Sequence, residues 1–362
     1  MNRSAVNPWL HRFAVLTAVA TLALIAVGGL VTSHGVGMAV PDWPTTYGYN
    51  MFLFPISKWM GGIFYEHSHR LLASAVGFLT IILMVWLWLK EPRGWLRWLG
   101  VAAFFGVVLQ GVLGGLRVVL AWDNLGIVHA ALAQSFFVLL CAIALVTSRW
   151  WIELPHRDMV IFDRHGLRRL LLAVTLLIFG QLVLGATMRH QHAGLAIPDF
   201  PLAYHKLWPP MDAASVTLYN QHRLEVNDPN PITAFQILLQ MIHRFIALLI
   251  FCAVVYTARK MRKYLSPRHL LSRYSLVWVG LIALQAMLGA ATIWSNKAAD
   301  IATAHVVVGA ISLTTGALLT IISFRVLMPA RVAVPSTTVP APSPVMSGKV
   351  LPGDVHVTTR SN

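Results

Sequence analysis

Eight runs of about 20 apolar residues constrain the fold of this chain more than any other feature. A run of this length crosses the hydrocarbon core of a bilayer as an α-helix. Only 11% of the residues are charged and the mean hydropathy is +0.67, which excludes a soluble domain of this size. The sequence therefore predicts an all-α integral membrane protein with eight transmembrane helices. The runs cover about residues 12–33, 67–89, 98–118, 127–147, 169–188, 235–258, 274–294 and 301–327.

The net charge of +15 would suit a nucleic acid, but the positions of the charges predict no such partner. Of the 28 Lys and Arg residues, 20 lie on the side of the predicted topology that carries both termini and 8 on the other. An excess of basic residues marks the cytoplasmic side, so both termini are expected in the cytoplasm. No cleavable signal peptide or mitochondrial transit sequence is expected. A bacterial inner (cytoplasmic) membrane is the predicted location.

The chain contains a tandem duplication. Residues 37–44 reappear as residues 194–201, the pair at 69–70 reappears at 243–244, and residues 110–114 reappear as 285–289. Matching elements in the same order predict two tandem pseudo-symmetric four-helix bundles. We expect an N-terminal bundle at residues 1–150, a cytoplasmic linker at 151–168 and a C-terminal bundle at 169–328. The segment 329–362, rich in Pro, Ser, Thr and Val, is expected to be a disordered cytoplasmic tail.

Four histidines form a pattern that occurs once in each half. His69 and His129 are 60 residues apart (129 − 69), and His243 and His305 are 62 apart (305 − 243). All four fall near the outer ends of predicted helices that run in the same direction. Two facing imidazoles are a bis-histidine haem site suited to electron transfer, so the pattern predicts two haem-iron sites. The alternative for any one of them is an ordinary interfacial polar residue.

The residues beside the first histidine of each pair add to this prediction. Arg70 and Arg244 could bind haem propionates through their guanidinium groups, or could extend toward the interface as arginines in membrane helices do. Glu66 stands one helical turn before His69, and Gln240 takes its place before His243. Glu66 could act as a base or stabilise a cationic intermediate, or it could be a helix N-terminal charge favoured by the macrodipole.

The other candidate groups are interpreted as structural. Asp42 and Asp199 lie in repeated Pro-Asp-aromatic-Pro segments that should fix the shape of the loops. Cys141 and Cys252 are expected to be packing residues. His190 and His192 could bind copper or another metal, but no ligand set is complete. The remaining outer histidines are expected to be polar loop residues: His34, His67, His190, His192, His205 and His222.

Taken together, these residues resemble the haem A synthase family over about residues 10–327. The resemblance rests on the eight-helix duplication and on segments that include Gly28–Thr32, Pro41–Pro44, Glu66–Arg70, His129, His243–Arg244 and His305. It implies oxidation of a haem O methyl group to a formyl group, which gives haem A for cytochrome oxidase assembly. Some members carry a cysteine pair in the first outer loop. This chain has none there, so it resembles the cysteine-less class.

The resemblance also implies roles for individual residues. His69, His129 and Arg70 would bind the substrate haem O, with Glu66 catalytic. His243, His305 and Arg244 would bind a haem b cofactor. The partners implied or expected are a haem O synthase, an electron acceptor such as a quinone or another redox protein, and a second copy of the chain. Alternatives are a di-haem b-type electron carrier or quinol oxidoreductase and, less favoured, a transporter built from parallel repeats.

Overall fold

The computed structural model describes residues 7–157, 161–163, 165–223 and 230–329. Within these ranges, eight helices are long and apolar enough to cross a membrane. This confirms the prediction of an all-α integral membrane protein with eight spans, and each helix matches one predicted run. The helices are α1 Pro8–Ser33, α2 Gly61–Lys90, α3 Gly94–Val119, α4 Asn124–Thr147, α6 Leu167–His190, α8 Ala234–Tyr264, α9 Leu270–Trp294 and α10 Ala299–Val326.

Polar side-chain caps mark the start of some of the long helices. The side chain of Asn7 accepts from the backbone N–H groups of Trp9 and Leu10, at 3.1 and 3.2 Å, and starts α1. Thr233 and Gln236 form a reciprocal capping box that starts α8. Such caps satisfy N–H groups that have no partner within the helix.

Two short helices and a small strand pair were not predicted. Helix α5, Arg149–Arg157, follows α4 directly and buries Trp151 and Leu154, and α7, Ala213–Gln221, lies in the second long loop. Strand β1, Ile161–Asp163, pairs in parallel with β2, Leu327–Pro329, just after α10. The predicted linker thus contains a helix and a strand, while its residues 158–160 and 164 lie outside the described residues. The predicted disordered tail also lies outside them from residue 330 onward.

The helix contacts form two rings. In the first half α1 contacts α2, α2 contacts α3, α3 contacts α4, and α4 contacts α1. In the second half α6, α8, α9 and α10 make the corresponding four contacts. Further contacts join α1 with α10, and α4 with both α6 and α10. Two adjoining four-helix bundles would make these contacts, and the division of the chain at residues 151–168 stays a prediction.

The larger cluster of buried apolar residues lies toward one end of the long helices, which we call the packed end. A smaller cluster joins the second long loop to the opposite end of α8. In α2 the larger cluster includes Leu83 and Leu87, far along the helix from His69. In α9 it includes Trp278, whose Nε1 donates to the carbonyl of Ser312 at 2.9 Å. The opposite end carries the four predicted haem ligands and is called the histidine end. Dense packing at one end leaves the histidine end to be shaped by loops and polar contacts.

The two cysteines lie in different environments. Cys141 of α4 is partly buried and packs against the core, as predicted. Cys252 of α8 is exposed on the helix surface, so it is not a packing residue inside the fold. In a membrane helix this surface can face lipid, where a thiol costs little.

Candidate functional site

The first histidine of each pair lies against a glycine of a neighbouring helix. A Cβ atom placed on Gly28 of α1 would stand 3.0 Å from Cε1 of His69. A Cβ atom placed on Gly185 of α6 would stand 3.3 Å from Cε1 of His243. Both distances are tight for a carbon–carbon contact. The missing side chain therefore makes the room in which each imidazole sits.

The second histidine of each pair has the same kind of neighbour. Gly114 of α3 faces His129, with a 3.4 Å separation between its added Cβ and Cε1 of the ring. Gly289 of α9 faces His305 at 3.2 Å. Four helices therefore contribute a histidine and the other four contribute the glycine beneath it. In this repeated arrangement all four histidines are partly buried.

Three of the imidazoles have a nitrogen without a partner. The Nδ1 atoms of His69, His243 and His305 are buried and accept or donate no hydrogen bond within the described residues. Buried polar groups in proteins nearly always have a partner. A haem with two axial histidines supplies an iron to one ring nitrogen of each histidine. Paired imidazoles, each resting on a glycine and incompletely bonded, fit two such groups.

A glutamine of the repeated segment contacts the second histidine in each half. With its amide nitrogen directed at the ring, Gln110 donates to Nδ1 of His129 at 2.9 Å. The Nε2 atom of Gln285 lies 3.4 Å from Nε2 of His305. A hydrogen bond to one ring nitrogen fixes the orientation of the ring and the atom left for iron. The role of these glutamines was not predicted, although their repetition was seen in the sequence.

Glu66 joins helix α2 to the first long loop. Its side chain is buried, 3% exposed, and accepts from the backbone N–H of Val40 at 2.9 Å and from Nη2 of Arg70 at 2.7 Å. The same arginine donates to the carbonyls of Val40, Asp42 and Thr45. The pair therefore clamps the loop over the histidine end of the first half.

Gln240 makes the corresponding connection in the second half without a charge. Its Oε1 accepts from the backbone N–H of Ile197 at 2.7 Å. Arg244 donates to the carbonyls of Asp199 and Leu202, both at 2.8 Å. The two loops are therefore held in the same way, by a carboxylate and an arginine in one half and by an amide and an arginine in the other.

These contacts bear on the two interpretations made from the sequence. Glu66 lies beyond the first turn of α2, which contains no acidic residue, and the macrodipole acts mainly within the first turn. The helix-end interpretation of Glu66 is therefore disfavoured. Each Nη nitrogen of Arg70 and Arg244 already donates to a loop carbonyl, and the contact of these arginines with haem propionates stays a prediction.

The repeated Pro-Asp segments shape the two loops, as predicted. The Oδ1 and Oδ2 atoms of Asp42 accept from the backbone N–H groups of Tyr47 and Gly48 at 2.7 and 2.8 Å. Burial, which would raise the pKa of Asp42, is outweighed by these bonds and by one from Thr45, so this pKa is lowered. The matching residues of the second loop are Asp199, Tyr204 and His205.

His67 differs from the prediction of a polar loop residue. It lies in α2, is completely buried, and packs against Phe54 and Trp59 with ring centroids 5.1 and 4.7 Å away. Its Nδ1 lies 3.2 Å from the hydroxyl of Thr46. The prediction was wrong because hydropathy does not show that the first loop folds back over this face of α2.

The remaining outer histidines have local contacts. His34 stacks on Tyr65 with ring centroids 4.3 Å apart, and His190, in the last turn of α6, packs tightly against Gly126 of α4. His222 bonds to a carbonyl one turn earlier. Within the described residues, no group of three or more His, Cys, Asp or Glu side chains could hold a metal ion. A copper site at His190 and His192 therefore has no complete ligand set there.

Comparison with known protein families identifies similar sequences over most of the chain. Residues 11–317 match the COX15-CtaA family, described as cytochrome oxidase assembly protein. A protein named heme A synthase from Halalkalibacterium halodurans is 26% identical over 313 residues, which cover 84% of this chain and 93% of that protein. One from Bacillus cereus (strain G9842) is 27% identical over 338 residues, covering 89% and 93%. One from Shouchella clausii is 27% identical over 220 residues, covering 59% and 70%.

Proposed function

Because this chain belongs to the COX15-CtaA family of cytochrome oxidase assembly proteins, we propose that it divides haem A synthesis between its two halves. It is a multi-pass membrane enzyme that oxidises haem O to haem A. In our proposal His69 and His129 hold the substrate haem O, and His243 and His305 hold a haem b cofactor. Family membership favours the synthase over the di-haem carrier and the transporter.

The observation that carries this division is the difference between Glu66 and Gln240. Both side chains accept from the backbone of the loop above them, at 2.9 and 2.7 Å, so loop shape alone does not require a carboxylate. Only the first half has an acid, and it stands one turn from His69. A buried carboxylate held by an arginine can accept a proton or stabilise positive charge on a neighbouring group. We therefore propose that the chemistry takes place in the first half.

The residues of the first half would bind, orient and shield the substrate. His69 and His129 would hold the substrate iron from opposite faces, with Gly28 and Gly114 leaving room for the rings. The clamped loop would exclude water from the haem edge. Glu66 would take up, at a carboxylate oxygen, a proton released as the methyl group is oxidised, while Arg70 keeps the carboxylate in place.

The second half would serve electron transfer. A haem b held by two histidines would supply one-electron transfer. His243 and His305 would hold it, with Gly185 and Gly289 beneath the rings and Gln285 orienting His305. Gln240 and Arg244 would fix the covering loop without a buried carboxylate.

The distribution of basic residues supports an orientation and a set of partners. We propose that both termini lie in the cytoplasm of a bacterium and that the histidine end faces the outer side of the inner membrane. A haem O synthase that hands over the poorly soluble substrate is the proposed donor. A quinone or another redox protein is the proposed electron acceptor, and a homo-oligomer is compatible with this arrangement.

The test replaces Glu66 with the residue that the second half uses. Glu66→Gln should keep the bond to the loop, as Gln240 does, but should slow conversion by at least about 100-fold, in the range of general acid–base effects. The protein is co-expressed with a haem O source, and the extracted haems are resolved by mass and chromatography. Haem content and thermal stability serve as controls for folding.

Glu66→Ala separates the two roles of this side chain. It removes the bond to the loop as well as the acid, so it should lower stability in addition to conversion. If Glu66→Gln converts haem O at the wild-type rate, Glu66 anchors the loop and has no catalytic part. The proposal that the two halves have different roles would then lose its main support.

A further inference from the structure

One turn beyond each of the four glycines, toward the histidine end, the helix carries a polar residue. Residues three or four apart lie on the same face of a helix, so each polar residue lies on the helix face whose glycine meets the imidazole. Each half has one threonine and one arginine in these positions, but on different helices. The pairs are Gly28–Thr32 of α1, Gly114–Arg117 of α3, Gly185–Arg189 of α6 and Gly289–Thr292 of α9.

The two threonines are satisfied within their own helices. The hydroxyl of Thr32 donates to the carbonyl of Gly28 at 2.8 Å. The hydroxyl of Thr292 donates to the carbonyl of Leu288, also at 2.8 Å. These hydroxyls need no further partner, so at these four positions the two arginines are the groups left to bind a ligand.

Arg117 is incompletely paired. Among the described residues its ion pair is with Asp123 at 3.5 Å, and the Asp123 side chain is 59% exposed. The arginine side chain itself is only 18% exposed, and its Nε is buried without a hydrogen-bond partner. Arg117 is therefore a poorly compensated cation one helical turn from Gly114, the glycine that faces His129.

Arg189 is held across the boundary between the halves. Its Nη2 donates to the carbonyl of Gly29 at 2.7 Å and to the hydroxyl of Ser33, both in α1. Within the described part of the chain it makes no ion pair with a carboxylate. One nitrogen of the guanidinium is thus used for anchoring, while Nη1 and Nε have no bond to the described residues.

We propose that Arg117 and Arg189 bind the propionate carboxylates of the two haems, Arg117 at the His69–His129 site and Arg189 at the His243–His305 site. This assignment rests on the proposed function. A partly buried guanidinium is costly when its acidic partner is distant and exposed, as for Arg117, or when it has no ion pair in the described residues, as for Arg189. A carboxylate reduces that cost through charge-assisted hydrogen bonds. Arg70 and Arg244 are less suited to this task because loop carbonyls already occupy their Nη groups.

The exchange of arginine and threonine between the halves has a geometric consequence. In the first half the arginine is on α3, whose Gly114 faces the second histidine, His129. In the second half it is on α6, whose Gly185 faces the first histidine, His243. The carboxylate edges of the two haems would therefore face different helices of their bundles. Because Arg189 is fixed to Gly29, next to the Gly28 that accommodates His69, the edge of the second haem would adjoin the wall of the first site.

The test gives each arginine the residue that the other half uses. The variants are Arg117→Thr and Arg189→Thr, and Arg169→Thr is the matched control, an exposed residue near the other end of α6. Purified protein with its haems is mixed with excess apomyoglobin, and haem release is followed by absorbance. A charged hydrogen bond is worth about 1.5–3 kcal/mol, so release should be about 10- to 100-fold faster.

The haem released should differ between the variants. Arg117→Thr should release the farnesylated haem that enters the first site, and Arg189→Thr should release haem b, with Arg169→Thr like the wild type. Wild-type protein carrying haem dimethyl ester, which has no propionate charge, should release it about 10- to 100-fold faster than it releases the free acid. This comparison needs no variant, so it decides the question even if an arginine variant fails to fold.

Release at the wild-type rate from both the variants and the ester-loaded protein would overturn the arginine assignment. Formation of haem A by the wild-type protein is measured in parallel. If haem A forms while release is unchanged, the arginine assignment fails and the proposed function stands. A folded wild-type protein that retains no haem would overturn both.

Discussion

The two halves of this protein share a frame and differ in polarity at matching positions. In both, imidazoles rest on glycines and an arginine of the first ligand helix holds a loop. The first half places Glu66 and His67 where the second half has Gln240 and Met241. Ionisable groups inside a membrane protein are costly and tend to be functional. The comparison teaches that the two copies keep the same scaffold and differ in the polar groups that the scaffold carries.

Loss of one histidine should have the largest effect and should separate the halves. His69→Ala is expected to lower the haem content to about half, because one of two bis-histidine sites is lost, and to abolish haem A formation. His243→Ala should remove haem b and leave the first site able to bind haem O. Haem extraction with mass-resolved chromatography measures both, and His34→Ala is the control. Retention of haem b in His243→Ala would contradict the assignment of the second site.

The two loop-holding arginines should differ in their contribution to stability. Arg70→Ala leaves the buried Glu66 without its cation and is expected to cost about 3–5 kcal/mol. Arg244→Ala removes two hydrogen bonds to loop carbonyls and should cost about 2 kcal/mol. Unfolding in detergent micelles measures both. Adding Glu66→Gln to Arg70→Ala should restore part of the loss, and an equal cost for the two arginines would show that the buried charge is unimportant.

The glycines beneath the imidazoles offer a graded comparison. Gly28→Ala puts a methyl group 3.0 Å from His69, Gly185→Ala puts one 3.3 Å from His243, and Gly114→Ala leaves 3.4 Å, an ordinary contact. Overpacking typically costs about 1–3 kcal/mol, so Gly28→Ala should weaken haem retention most and Gly114→Ala least. Haem absorbance spectra and haem release rates give the order. The reverse order would mean that the rings move freely away from the helices.

The smallest effect is expected from the turn in the first loop. The pKa of Asp42 is lowered from its ordinary value of 3.8 because backbone and Thr45 hydrogen bonds outweigh burial. A lowered carboxyl pKa stabilises the fold above the ordinary value, and that stabilisation disappears as the pH falls through the lowered pKa. Asp42→Asn should therefore remove part of the loss of stability below about pH 4. The free energy of unfolding is measured over a pH series for the variant and the wild-type protein. If the turn does not contribute, both should lose the same stability at low pH.

The sequence and the structure agree best where the physics is local. A backbone in a bilayer must satisfy its own hydrogen bonds, so a long apolar run predicts a helix without knowledge of its neighbours. Asp42 and Asp199 were likewise predicted to shape the loops, because an aspartate in a turn bonds to nearby backbone. The short helices α5 and α7 were missed because they are too short to produce a long apolar run.

The sequence predictions and the structure differ where the partner of a side chain comes from another part of the chain. His67 was predicted to lie in a loop, but the first loop folds over it and supplies Thr46 and Trp59. The repetition of Gln110 and Gln285 was visible, but their contacts with His129 and His305 were not.

By itself the sequence determined the eight helices, the repeat, the four histidines and the acid present in only one half. Only the tertiary structure decided that glycines accommodate the rings, that Glu66 binds Arg70 and Val40, and that Arg189 donates to Gly29 and Ser33 of α1. Hydropathy and spacing describe how a segment meets the membrane and which residues share its face. The partner of a side chain depends on how separate helices and loops pack together, and no single segment encodes that packing.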